Sequence, residues 1–249
     1  MLISVLVYLQ VFAVTFLYCA CVLPFLLAAL LVHGFRKESC AGVIRFFIVW
    51  YGRCVLRAGL SPWIRVRFRD FAEGECFPAI FVCNHRSASD PFLAAVLKTC
   101  RPIAQGVNRW PMRLPFFGFF ARLGGYLDAT AHGYEELRNQ AEALLRQNTP
   151  IVVFPEGTRS GNREMNQFHG LFFRIARDLN CPLIPVAIAG NEHIPDRNFR
   201  ISTGRILVHK LPAIDSETAK TMNSYQLKHF VRRILRDETA KMDQELKNS

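Results

Sequence analysis

His85 and Asp90 are the side chains in this sequence best suited to moving a proton. They lie five residues apart in the segment Ala79-Ile-Phe-Val-Cys-Asn-His-Arg-Ser-Ala-Ser-Asp-Pro91. That spacing does not put both on one helical face, but it suits a carboxylate folded back onto an imidazole across a tight turn. A carboxylate on one ring nitrogen fixes the tautomer and raises the basicity of the other. The pair alone also describes a loop histidine followed by a helix, with Asp90 as N-cap and Pro91 at the first helical position. A second segment, Ile151-Val-Val-Phe-Pro-Glu-Gly-Thr-Arg-Ser160, sets Glu156 and Arg159 around Gly157 and Thr158. Glu156 and Arg159 read either as a structural salt bridge or as a grip on an anionic head group, since Arg makes forked contacts to phosphate. Neither G-x-S-x-G nor H-E-x-x-H occurs, so no nucleophile elbow or zinc helix is signalled.

Both segments begin as short apolar runs that open into polar turns, the pattern of buried strands releasing loops at a sheet edge. Further runs bounded by Pro or Gly lie at 183–188 and 206–208, and 63–69 alternates strictly, with Ile64, Val66 and Phe68 opposite Arg65, Arg67 and Arg69. Between them come helical patterns: Tyr134, Leu137, Ala141, Leu144 and Leu145, then Phe168, Leu171, Phe172, Ile175 and Leu179. The tail adds Leu227, Phe230, Val231, Ile234 and Leu235. Strands alternating with helices predict an α/β fold, a mixed and largely parallel sheet flanked by helices, over residues 61–249. His132, His193, His209 and His229 read as surface or packing residues.

Charge separates the first 60 residues from the rest. Met1 to Phe35 contains no Asp, Glu, Lys or Arg, and the next stretch carries Arg36, Lys37, Arg45, Arg53, Arg57, Arg65, Arg67 and Arg69 against the single anion Glu38. A hydrophobic content of 51% excludes intrinsic disorder. The net charge of +11 sits mostly behind the greasy run, where it points to anionic lipid head groups and away from nucleic acid. Residues 2–32 are long enough to cross a bilayer as a helix, although Pro24 should kink or break it, so crossing and dipping into one leaflet both remain open. Residues 41–60 predict an interfacial helix with Arg45, Arg53 and Arg57 snorkelling while Phe46, Phe47, Trp50 and Leu56 enter the acyl region. Residues 1–60 are therefore expected to be a two-helix membrane anchor, with the following domain on the cytoplasmic face. The eight scattered cysteines, with no C-x-x-C pair, read as reduced thiols.

Asn84-His85-x-Ser87-x-x-Asp90, a His-x4-Asp motif, and Phe154-Pro155-Glu156-Gly157-Thr158-Arg159-Ser160 resemble the first and third signature blocks of glycerolipid acyltransferases. The nearest class is the 1-acylglycerol-3-phosphate acyltransferases, whose fourth block Leu183-Ile184-Pro185-Val186 resembles. The resemblance covers roughly residues 63–210 and extends to the two-helix anchor. It implies acyl transfer from a thioester co-substrate, acyl-CoA or acyl carrier protein, to a lipid hydroxyl, with no metal and no resident cofactor. In that reading His85 is the general base and Asp90 orients it, while Asn84, Ser87, Glu156, Gly157, Thr158, Arg159 and Arg109 contact the substrate. The chain departs from the family where Ala129 follows Asp128 in place of an arginine, where Asn108-Arg109 stands for a lysine, and where His169 follows Phe168 in place of a lysine. The cations for an acceptor phosphate are thinned to Arg159 and Arg109. A lysophosphatidate-like acceptor is expected, with a non-phosphate lipid or glycolipid, or a catalytically silent lipid-binding protein, as alternatives.

Overall fold

The computed structural model describes residues 1–32, 37–72, 77–130 and 133–248. Arg36, Cys76 and His132, and the side chains of Lys37 and Glu38, lie outside them. The strands are β1 (Ile64–Asp70), β2 (Ile80–Cys83), β3 (Ala104–Val107), β4 (Leu127–Asp128), β5 (Ile151–Val153), β6 (Leu183–Ala189) and β7 (Gly204–Lys210). They form one sheet in the order β1-β7-β6-β2-β5-β3-β4. β6 and β7 run antiparallel and the other pairs are parallel, as the alternating pattern predicts. The expected strands at 63–69, 79–83, 151–154, 183–188 and 206–208 all appear within a residue or two of those limits, β7 being longer. β1 is an edge strand whose three arginines point outward. β2, β5 and β6 are buried on both faces.

Alternate residues of the central strands feed two cores. On one face Ile80, Val82, Ile151 and Val153 pack with α6 (Tyr134–Arg146), α7 (Leu171–Asp178) and α9 (Ser224–Lys247). On the other, Phe81, Cys83, Val152 and Ile184 pack with Leu93 of the short α3 (Asp90–Leu93) and with Val7, Leu56 and Leu60 from the N-terminal segment. Two strands carry no apolar run. β3 is Ala-Gln-Gly-Val, and Gly106 is needed there because a Cβ would stand 2.7 Å from the Phe172 ring. β4 has only two residues. The helices α4 (Arg109–Arg113), α5 (Pro115–Leu123) and α8 (Ser216–Lys220) complete the fold.

The N-terminal segment departs from expectation in three ways. First, α1 (Leu2–Val32) runs through Pro24 as one helix. Second, the predicted helix over 41–60 is α2 (Lys37–Cys54) followed by a single π-helical turn, Val55–Gly59. Third, α2 is a packing helix. Ala41, Ile44, Arg45, Gly52, Val55 and Leu56 fall at helical spacing and are buried, and a Cβ on Gly52 would meet Ala95 at 2.7 Å. Arg45 therefore turns inward, donating from Nη1 to Gly124 O (2.8 Å) and from Nη2 to Thr149 Oγ1 (3.3 Å), instead of snorkelling. Leu56 joins the core, whereas Phe46 and Trp50 stay exposed and Arg53 stacks on Trp50.

α1 buries only Ser4, Val7 and Leu26, but its polar side chains fasten it along its length. The Tyr8 hydroxyl donates to Phe199 O (2.8 Å), Gln10 Nε2 to Ala58 O and Ser61 O, and the Tyr18 hydroxyl to Phe47 O (2.7 Å). Cys100 is disulfide-bonded, which corrects the reading of reduced thiols at that position; Cys19, Cys21, Cys40, Cys54, Cys83 and Cys181 are free.

Candidate active site

β6, β2 and β5 are adjacent and parallel, so the chain leaving each of them emerges at one sheet edge, with about 4.8 Å between neighbouring strands. The loop after β2 brings His85, the loop after β5 brings Glu156 to Ser160, and the turn after β6 brings Asn191. β3, next along, brings Asn108 and Arg109.

The His85 ring donates or accepts through Nδ1 at 2.7 Å from Asp90 Oδ2. Asp90 is fully buried. Its Oδ2 also accepts the Ser87 N–H (2.9 Å), and its Oδ1 accepts from the Asn191 amide. Donors on both oxygens suit an acceptor-only carboxylate and leave it one orientation. Asp90 is thus not the helix cap that the Asp-Pro pair suggests: α3 starts at Asp90, behind Ser89, and the carboxylate turns back toward His85. The imidazole lies against the Phe154 ring, centroids 4.9 Å apart. Its side chain is only 18% exposed, and Nε2 makes no hydrogen bond among the described residues. One ring nitrogen is therefore oriented and the other is presented to a ligand.

Glu156 holds this loop in place. Its Oε1 accepts the His85 N–H (2.6 Å) and its Oε2 the Asn166 N–H (2.9 Å), while the Ser160 N–H donates to His85 O (2.8 Å). Glu156 makes no ion pair with Arg159, whose guanidinium stacks 5.3 Å from the Phe199 ring centroid. Burial pushes the Glu156 carboxyl up to about 7, against the pull of those two backbone donors and of His85. The folded state therefore keeps this proton across a range in which the unfolded chain, titrating near 4.5, has lost it. Stability from this group is present below pH 4.5 and lost as pH rises to 7, by about 3 kcal/mol. In Glu156→Gln that slope should disappear, at a cost of about 1–3 kcal/mol, because an amide NH2 would face one of the two backbone donors. Thermal unfolding of both proteins between pH 4.5 and 8 measures this; parallel curves would show that Glu156 does not titrate there.

Asn84 and Ser87 also spend their polar atoms internally. Asn84 donates to Ile188 O (2.9 Å) and accepts the Ile188 N–H (2.7 Å), tying the loop to β6. The Ser87 hydroxyl lies 2.9 Å from Ile194 O and 3.0 Å from Pro195 O. Asn84, Ser87 and Glu156, expected against the substrate, are buried braces of the His85 loop. Gly157, Thr158, Arg159 and Arg109 remain accessible. Gly157 has φ 71°, and a Cβ there would press on the His169 ring at 3.1 Å.

Sequence reading missed three members of the constellation. Asn191 had one usable signal, a polar residue just past a fully apolar strand. Arg86 and Asp243 had none, being 157 residues apart. Arg86 Nη1 and Nη2 donate to Asp243 Oδ1 (2.7 Å) and Oδ2 (2.8 Å), a forked pair that fastens the residue next to His85 to the C-terminal helix.

Comparison with known proteins agrees with this architecture. The acyltransferase family matches residues 66–189. The 1-acyl-sn-glycerol-3-phosphate acyltransferase of Salmonella typhimurium is 26% identical over 188 residues, spanning 74% of this chain and 76% of the relative. The Haemophilus influenzae protein of the same name is 24% identical over 216 residues, spanning 85% and 87%. The crystal structure of the 1-acyl-sn-glycerophosphate acyltransferase PlsC from Thermotoga maritima superposes with a TM-score of 0.70 at 17% identity, covering 97% of this chain and 95% of that one. The matched segment runs from β1 to the end of β6 and so contains the His85 loop with Asn84, Ser87 and Glu156; the chain is an acyltransferase.

Proposed function

We propose that the protein transfers a fatty-acyl group from a thioester, acyl-CoA or acyl carrier protein, to the hydroxyl of a lysophosphatidate-like lipid. The observation that carries this is the His85–Asp90 pair, with Nε2 free beside the loop holding Arg159. Nε2 takes the acceptor's hydroxyl proton as its oxygen bonds to the thioester carbonyl carbon. The C–S bond then breaks, and the proton passes to the leaving thiolate. Asp90 holds the ring and stabilises the imidazolium.

The membrane reading rests on α1, whose mean hydropathy is 2.4 over a span with little buried surface. The α1–α2 hairpin lies against the domain from Ser4, which bonds Ile201, to Arg45, which bonds Gly124. That arrangement favours a helix dipping into one leaflet over one crossing it. Trp110, Phe119 and Leu123 of α4 and α5 are further exposed apolar side chains, and α5 packs against α2. The cations that follow α1 favour the cytoplasmic face.

Purified protein given one acyl thioester and a panel of acceptors tests the assignment, with products read by mass spectrometry. Lysophosphatidate should be acylated, and an uncharged lipid hydroxyl should be used comparably well, because Ala129 and His169 stand where the family carries cations. No acyl transfer to any lipid hydroxyl would refute the proposal. Exclusive use of lysophosphatidate would show that other groups replace the missing charges.

A further inference from the structure

A cavity of about 730 Å³ lies at the β4 edge of the sheet, walled by α2, α4, α5 and α6. Four arginines line it, Arg45, Arg109, Arg113 and Arg122, against one carboxylate, Asp128, which is already engaged by the Thr130 N–H and hydroxyl. Much of the remaining wall is apolar, with Met112 and Leu144. Two polar groups on this wall are buried without a partner among the described residues: Nε of Arg45, which is 4% exposed, and the hydroxyl of Tyr126, which is 6% exposed. No carboxylate pairs with Arg45 among the described residues; its bonds go to the neutral oxygens of Gly124 and Thr149. A buried guanidinium without a counter-charge is unfavourable, and so is a buried hydroxyl without an acceptor. One anion admitted to the cavity would remedy both.

We propose that this cavity binds a phosphate-bearing amphiphile, with the phosphate on Arg45 and the Tyr126 hydroxyl and the apolar part against Met112 and Leu144. Phosphate fits because a guanidinium and a hydroxyl both donate to its oxygens, and the other arginines supply charge at the rim. β4 is three strands from β2 in the sheet, about 14 Å, so the Arg45 and Tyr126 end of the cavity is set apart from His85, with Arg109 shared between the two. Two sources carry the chemistry: a membrane phospholipid entering beside α2, and the phosphates of coenzyme A. The second rests on the acyl-transfer reading; the first does not.

Full-length His85→Ala protein in detergent, given one probe at a time and no second substrate, allows binding to be measured alone. Dihexanoyl phosphatidate and coenzyme A are titrated separately by calorimetry. Tyr126→Phe removes a hydroxyl that bonds nothing in the fold, so the melting temperature should hold while the occupant's affinity falls about tenfold. Arg45→Met should weaken it further. Loss confined to phosphatidate identifies a lipid site, and loss confined to coenzyme A identifies the donor's phosphates. If neither probe binds, or if Tyr126→Phe leaves both affinities unchanged, the proposal is overturned. Should Arg45→Met unfold, Tyr126→Phe alone decides.

Discussion

His85→Ala should lower turnover by about 10²–10⁴-fold while leaving the melting temperature within a few degrees of the parent. The ring is a proton acceptor on a loop, and the loop itself is held by backbone bonds to Glu156 and Ser160 that alanine keeps. Asp90→Asn should be nearly as inactive and should also melt lower. An asparagine cannot offer acceptors to the Ser87 N–H, the Asn191 amide and His85 together, and one unmet buried partner costs about 1–3 kcal/mol. Steady-state rates and unfolding curves of the two purified variants separate the cases. A His85→Ala protein with near-parental turnover would remove the histidine from the mechanism.

The second large effect concerns the first 60 residues. A chain beginning at Ser61 should fail to give a stable folded monomer, rather than yielding a clean soluble domain. Val7, Leu56 and Leu60 are buried in one of the two cores, and Ile44 and Val55 are buried with them. Each such side chain contributes about 1.5–3 kcal/mol, so their joint removal rivals the whole stability of a domain, about 5–15 kcal/mol. Size-exclusion chromatography and circular dichroism of the shortened chain check this, and a monodisperse, cooperatively melting product would show that the hairpin is only an appendage. In sealed vesicles, tags at the two termini of the full chain should be digested from the same side if α1 enters one leaflet.

Most of the architecture was legible because its central strands are buried on both faces and therefore read as unbroken Val, Ile and Phe runs. β3 escaped because its burial is met by a glutamine bonded to Pro91 O and a glycine under Phe172, neither of which looks like a strand core. The His85 and Glu156 loops were legible as chemistry, but the division of labour among their residues was not. Asn84, Ser87 and Glu156 carry groups that bind ligands as readily as they bind backbone, and only the neighbouring strands decide which. Arg45 misled for a similar reason: a cation on an apolar helix usually reaches for water, and here the carbonyl of Gly124 and the hydroxyl of Thr149 replace it.

The forked bond between Arg86 and Asp243 has a consequence for how the enzyme is made. α1 is made before any strand of the sheet that it packs beside. The strands around the His85 loop follow, and Asp90, Glu156 and Ser160 can hold His85 once they are made, yet Arg86 gains its forked partner only when Asp243 has left the ribosome. The residue next to the histidine is thus locked to the rest of the fold only when α9 docks, and the fastening of Arg86 is a late step of folding.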